Sequence, residues 1–345
     1  MRVEIITIIS RNYGNRLQNY ALQKCLEKMG VSVRTSRRSH YKHPFLRIVR
    51  NCFLKLYRKS DSDLYNYFDT KIKWKSDLLP NVCHDEKIDY YIAGSDQIWN
   101  PLFEFNSERE FLNFVPKEKR IAYAGSIGID ELPEHIKEKY RTYFLEFKNI
   151  SVREHAAKKI IKEICELEVQ VVLDPTLLLD AEEWKKITRT SVLNIKEQYI
   201  VKYFLGIRND KYDKLIEEYA RVHSCRIIDI TRHRECGIPG IGPDEFVTLI
   251  RNCKVAFLDS FHGMVFSIIF RKQFLVFNRP DESGYGNMNS RFDSILKLFQ
   301  LENRYVNSSD DIKNIDEKID YDAVHHILEI EREKSEKYLR NMLSL

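Results

Sequence analysis

The sequence is short of the residues that break or cross-link a chain. It has 12 glycines and 9 prolines in 345 residues and no low-complexity stretch, which excludes collagen-like, linker-rich and extensively disordered architectures. Its seven cysteines (Cys25, Cys52, Cys83, Cys165, Cys225, Cys236 and Cys253) are odd in number and widely scattered, with no C-x-x-C pair. Neither a disulfide framework nor a zinc knuckle is therefore expected, and most should be small core residues. Nowhere do apolar residues run on for the roughly 18 or more that a membrane-spanning helix needs. The opening "MRVEIITIISRNYG" has too short an apolar run for a signal sequence, so a cytoplasmic protein is expected. His233 and the pair His325–His326 lack convergent acidic partners, so no metal site is expected. There is no G-x-G-x-x-G fingerprint after the first strand and no internal repeat.

What is present is ample core material, 43% apolar and 12% aromatic. Short β-rich runs alternate with helix-length amphipathic ones, the pattern of an α/β protein with parallel sheets. The expected strands are Val3–Ile9, Tyr90–Ala93, Ile121–Ala124, Ile150–Val152 and Val169–Leu173, then Tyr199–Leu205, Arg226–Ile230, Val255–Leu258 and Phe274–Phe277. They fall into two groups joined by a short helix and a polar connector. This predicts two domains, residues 1–190 and 191–320, with a cleft between them. Residues 321–345 read as a long charged helix packing back on the first domain.

The net charge of +5 is unevenly placed: residues 34–59 hold nine Lys and Arg and no acid. Within 45–58, Phe45, Ile48, Val49, Cys52 and Leu56 recur at helical spacing between Arg47, Arg50, Lys55 and Arg58. Such a helix either lies on an anionic membrane face without crossing it or packs its apolar stripe on the protein's own core. Nucleic acid is not an expected partner, because the patch lacks interleaved exposed aromatics and no nucleic-acid module is present.

In open parallel sheets ligands sit beyond the carboxyl ends of the strands, and four strand ends carry chemistry. After the first strand, "NYGNRL" opens a helix whose positive end, lined by Asn12, Asn15 and Arg16, suits an anion; the alternative is an ordinary capped turn. After the second, "AGSDQIWN" packs Asp96, Gln97 and Trp99 into one loop, the polar partners and aromatic platform that a sugar needs; the alternative is that Asp96 caps a turn. "SVRE" delivers Arg153 to a strand end, where its planar fork suits a carboxylate or phosphate, or pairs on the surface with Glu154. "LDSFHGMVFSIIF" passes from an apolar strand through Asp259, Ser260, His262 and Gly263 into an apolar helix. His262 thus lies in a first turn where an anion is favoured and the imidazole is kept protonated beside it; the alternative is an ordinary satisfied polar residue.

Taken in order from about residue 10 to residue 300, "NYGNRLQNYAL", "AGSDQIWN", "SVRE", "VVLDPTLLL", "GPDEF", "DSFHGMVFSIIF" and "NSRFDSIL" resemble the polysaccharide pyruvyl transferase family. The resemblance implies two Rossmann-like domains in a GT-B-like arrangement, the first on the acceptor side and the second on the donor side. It implies transfer of pyruvate from phosphoenolpyruvate to two hydroxyls of a sugar as a cyclic ketal in cell-surface polysaccharide biosynthesis. Phosphoenolpyruvate is then a co-substrate, no cofactor is needed, and the acceptor saccharide can be lipid-linked.

By resemblance, His262 is the donor ligand or general acid, and Arg153, Ser260, Gly263 and Arg291 bind the donor. Asn12, Tyr13, Asn15, Arg16, Gln97 and Trp99 face the acceptor, and Asp96 is the base on motif position alone. Asp174 of "LDPT" is expected to hold its own loop. Family members tend to carry Arg two residues before the histidine, where this chain has Ser260; Arg208, Arg279 or Arg291 is expected to replace it, or else the donor differs. Two rival readings stand beside this one: a GT-B-type glycosyltransferase using a nucleotide sugar, which that serine favours, and a non-catalytic carbohydrate-binding relative.

Overall fold

The computed structural model of the chain describes residues 1–36, 59–75, 84–103, 106–188, 195–206, 209–279, 290–307 and 314–345. They form two compact units, Met1–Leu178 with Glu331–Leu345, and Leu179–Ile330. Each is built on its own parallel sheet.

The first sheet contains β1 (Arg2–Ile6), β2 (Ser32–Thr35), β3 (Tyr90–Ala93), β4 (Arg120–Gly125), β5 (Asn149–Val152) and β6 (Gln170–Val171), in the order β2-β1-β3-β4-β5-β6. Every pairing is parallel. Strands covered on both faces read as unbroken apolar runs rather than alternating ones, and β4, "RIAYAG", is buried at all its positions. Helices α1 (Tyr13–Lys28), α2 (Lys59–Asp69), α3 (Glu134–Leu145), α4 (His155–Cys165) and α5 (Pro175–Leu178) belong to this unit. Asn12 starts α1 by accepting the Gly14 N–H at 2.8 Å.

The second sheet contains β7 (Tyr199–Tyr203), β8 (Arg226–Asp229), β9 (Val255–Leu258), β10 (Gln273–Phe277) and β11 (Tyr305–Val306), in the order β11-β10-β9-β7-β8, again all parallel. Its helices are α6 (Ala181–Lys185), α7 (Asp210–Val222), α8 (Pro243–Asn252), α9 (Phe261–Ile269), α10 (Ser290–Leu298) and the first part of α11 (Tyr321–Met342). All nine residues of α9 are buried, as its nearly all-apolar sequence requires. The division falls at Leu178, upstream of residue 190, because Trp184 of α6 is fully buried edge-on to Phe266 of α9, 4.8 Å between ring centroids.

The last part of α11 packs in the first unit. Ser335 Oγ accepts the Leu173 N–H at 3.0 Å, and the Tyr338 hydroxyl donates to the Ile150 carbonyl at 3.0 Å. Of the basic segment 34–59, residues 37–58 lie outside the described residues, and the amphipathic helix expected at 45–58 with them. Arg34 lies in edge strand β2 and pairs with Glu4 at 2.7 Å and Asp85 at 3.0 Å. Among the described residues no helix is long and apolar enough to cross a membrane, and no cluster of His, Cys, Asp and Glu is placed to hold a metal ion.

Candidate functional site

In each sheet the strand order reverses direction once, between β1 and β3 in the first and between β7 and β9 in the second. At such switch points the loops leaving the two strands diverge and open a crevice. The residues singled out in the sequence collect at these two places, one in each unit.

At the first switch point the Thr7 hydroxyl donates to the Ser95 carbonyl at 3.2 Å, tying the end of β1 to that of β3. Asn15 accepts from the Ser10 hydroxyl and donates to Asp96. Asp96 stands at φ +74°, a left-handed conformation that aspartate tolerates better than most residues. Its carboxylate accepts the Gln97 N–H at 2.9 Å and one arm of Arg153 at 2.9 Å. The other arm of Arg153 donates to Asp174 at 2.8 Å, and Asp174 also accepts from the Ser95 hydroxyl at 2.8 Å and from Thr176. Glu154, 3.6 Å from Arg153, accepts the N–H groups of Ile127 and Gly128.

This is a structural node. Arg153 is 2% exposed with both terminal nitrogens on carboxylates, and although burial pulls its pKa down, Asp96, Asp174 and Glu154 raise it overall. Arg153, expected to bind the donor, has its fork on two aspartates of its own unit. Asp96, expected as a base, is the partner of that guanidinium, and Asp174 holds its own loop through Thr176.

Trp99, expected as an acceptor platform, is a core residue. It is fully buried, lies 4.9 Å edge-on to Phe144 and stacks on Phe111 at 6.0 Å, and its indole N–H donates to the Glu110 carbonyl at 3.2 Å. A Cβ at Gly125 would fall 2.4 Å from its ring, so glycine there is a packing requirement. Gln97 is buried and accepts from Asn100 at 2.6 Å. The partly exposed members are Asn12, which caps α1; Tyr13, stacked on Tyr65 at 5.8 Å; and Arg16, bound to Asp69 at 2.8 Å and lying over the Tyr65 and Trp74 rings.

At the second switch point Asp259, 5% exposed, follows β9 directly. It accepts the N–H groups of Leu205 at 2.6 Å and Gly206 at 2.7 Å, both from the loop after β7. Arg279, two residues past β10, donates to its carboxylate at 3.1 Å and its carbonyl at 2.9 Å. Ser260, expected to bind the donor, is the N-cap of α9: its hydroxyl accepts the Gly263 N–H at 3.3 Å, which occupies the backbone donor expected of Gly263 as well.

His262 lies in the first turn of α9, 6% exposed, with its ring 5.3 Å from the Phe261 ring. Arg291, also 6% exposed, places its guanidinium carbon 5.9 Å from that same Phe261 ring. Two of the three cations proposed to replace the family arginine, Arg279 and Arg291, therefore approach this turn through its immediate neighbours Asp259 and Phe261; Arg208 lies outside the described residues. The clamp made by Gly206, Asp259 and Arg279 was not identified from sequence. The signal was available, since each of these residues comes one to three positions after a strand of the second sheet.

The fold and the two switch points define a protein of two tandem Rossmann-like domains, the fold of the GT-B glycosyltransferases and related epimerases. Methanocaldococcus jannaschii UDP-GlcNAc 2-epimerase, in complex with UDP-GlcNAc and UDP, superposes with a TM-score of 0.52 at 12% identity, covering 100% of this chain and 99% of that one. A glycosyltransferase from Rickettsia africae ESF-5 gives 0.49 at 12% identity, covering 99% and 98%. No curated protein matches the sequence. The family model of polysaccharide pyruvyl transferase matches residues 12–281, and the chain belongs to that family.

Proposed function

We propose that the chain transfers pyruvate from phosphoenolpyruvate to two hydroxyls of a saccharide, giving a cyclic ketal during cell-surface polysaccharide assembly at the cytoplasmic face of the membrane. The observation that carries this reading is His262, in the first turn of a buried helix at a sheet switch point, with Arg279 and Arg291 approaching through the residues on either side of Ser260. Phosphoenolpyruvate brings a carboxylate and a phosphate, and a partly dehydrated helix N-terminus flanked by guanidinium groups is a favourable place for both.

Protonated His262 gives its proton to the methylene carbon, which becomes a methyl group and leaves C2 electrophilic. One sugar hydroxyl attacks C2, and the neutral imidazole takes up the proton that this hydroxyl releases. The bond from C2 to the phosphate oxygen then breaks as the second hydroxyl closes the ring, and the proton of that hydroxyl passes to the departing phosphate, which leaves as inorganic phosphate. No oxidant, reductant or cofactor is required. The acceptor is a saccharide, free or carried on a lipid.

Calorimetric titration with phosphoenolpyruvate and with UDP, GDP and CMP sugars tests the donor. Binding of phosphoenolpyruvate is expected. Binding of a nucleotide sugar in its place would move the chain to glycosyl transfer, the ligand class held by the M. jannaschii epimerase on this fold. For the acid, His262→Asn is expected to lower phosphate release roughly 100- to 10,000-fold while phosphoenolpyruvate still binds.

A further inference from the structure

Helix α9 carries His262 at its amino end, and its carboxyl end is held by another helix of the same unit. Every residue of α9 is buried, and a helix leaves the carbonyls of its last turn without partners of its own. The chain closes part of this with backbone. Arg271, left-handed at φ +55°, donates its N–H to the Ile268 carbonyl at 3.2 Å, and the Lys272 N–H returns to the Ser267 carbonyl at 2.8 Å. The amino end of α11 supplies the rest. Nε2 of His325 lies 2.9 Å from the Ile268 carbonyl, and since a carbonyl only accepts, that nitrogen carries the hydrogen. The Tyr321 hydroxyl donates to the Lys272 carbonyl, with its oxygen 3.3 Å from the Ser267 carbonyl. Burial holds the Tyr321 pKa above its ordinary value, so the hydroxyl keeps its hydrogen. The two rings meet edge-on at 6.0 Å, and Asp322 beside them pairs with Arg271 at 2.7 Å.

The amino end of α9 is set closely as well. Ser260 caps it, and a Cβ on Gly263 would stand 2.9 Å from Leu258 Cδ2 of β9. Nine residues of helix, about 13 Å, separate the two ends, and a rod this short passes a displacement of one end on to the other. We infer that Tyr321 and His325 are positioning residues for His262: by gripping the carboxyl end of α9 they fix where its amino end presents the imidazole. The consequence for catalysis rests on the reading of His262 as the acid given above. A reacting group misplaced by about 1 Å can lose about 100-fold in rate.

The test uses the full chain as wild type, Tyr321→Phe, His325→Leu, His325→Gln and Tyr338→Phe, each checked by thermal melting. Three quantities are measured on the folded proteins: the imidazole NMR signal of His262, recognised among those of 10 histidines as the one missing from His262→Asn; phosphoenolpyruvate affinity by calorimetry; and the rate of phosphate release. Tyr321→Phe and His325→Leu are expected to move the His262 signal and lower phosphate release roughly 10- to 100-fold, with phosphoenolpyruvate affinity within about three-fold of wild type. His325→Gln, whose amide still offers an N–H to Ile268, should recover most of the loss. Tyr338→Phe removes a hydroxyl of the same helix that is bonded to Ile150 in the first unit, and should leave the His262 signal in place. If Tyr321→Phe or His325→Leu fails to fold, the other decides. A lowered melting temperature with the His262 signal unmoved and phosphate release unchanged makes the two residues structural only, which overturns the inference and leaves the donor reading intact. Equal movement of the signal in Tyr338→Phe also overturns it. If the signal moves as expected but wild type does not bind phosphoenolpyruvate, the donor reading fails and the hold on His262 stands.

Discussion

Replacing Arg153 by methionine should destabilise the first unit rather than selectively remove activity. The side chain is 2% exposed and bridges Asp96 at 2.9 Å and Asp174 at 2.8 Å, with Glu154 at 3.6 Å. Taking away one partner of a buried ionic cluster leaves charges that neither water nor protein compensates, a change that costs about 3–5 kcal/mol. For a unit of this size, about 2–4 °C of melting temperature accompanies each kcal/mol, so a fall of roughly 6–20 °C is expected.

The loss should also carry a pH signature. Carboxylates abandoned in a buried site have a folded pKa above the unfolded value, so the folded variant is less penalised below about pH 4 and increasingly penalised as pH rises. The deficit should therefore shrink on acidification. Arg153→Lys keeps the charge but cannot span two carboxylates with one ammonium, and should fall between the two. Urea unfolding followed by circular dichroism and by tryptophan fluorescence, which reports buried Trp99 in the same unit, reads all of this. An unfolding midpoint for Arg153→Met unchanged within about 0.5 kcal/mol, together with lost donor binding, would refute the structural role and return Arg153 to the ligand site.

Gly125→Ala should cost at least about 1–3 kcal/mol, because the new methyl meets the enclosed Trp99 ring at 2.4 Å; near-ultraviolet circular dichroism and thermal melting check it. Ser260→Ala should cost about 1 kcal/mol of stability through the lost cap and leave donor affinity within two-fold, whereas a large loss of affinity in calorimetry would make the hydroxyl a ligand. Thiol labelling at about pH 8 should reach the half-buried Cys225 and Cys236 before Cys253, whose pKa is pushed up to about 12 by burial. Mass-spectrometric mapping that finds Cys253 modified first would contradict its enclosure.

The strands of both sheets were legible where burial on two faces writes an unbroken apolar run: Tyr90–Ala93 and Val255–Leu258 read from the sequence to the residue. The strands missed, Ser32–Thr35 and Tyr305–Val306, are outer members of their sheets, one carrying Arg34 paired to Glu4 and the other two residues long, so neither needs an apolar signature. The site divided along the same physical line. Motif spacing located the strand ends correctly, because loops at the switch points must carry polar residues whether they bind a ligand or hold one another. It could not distinguish these two uses.

Arg153 and Arg279 make the point directly. Each is an arginine shortly after a parallel strand, and each donates to an aspartate. Arg153 has carboxylates on both arms and almost no exposure, while Arg279 meets a carboxylate that is itself held by two backbone N–H groups and keeps 18% side-chain exposure. A guanidinium neutralised on both arms inside the protein is part of the scaffold. In the function proposed above, the donor is bound around His262 in the second unit. The cluster of Asp96, Arg153 and Asp174 is then the scaffold that sets the loops of the first.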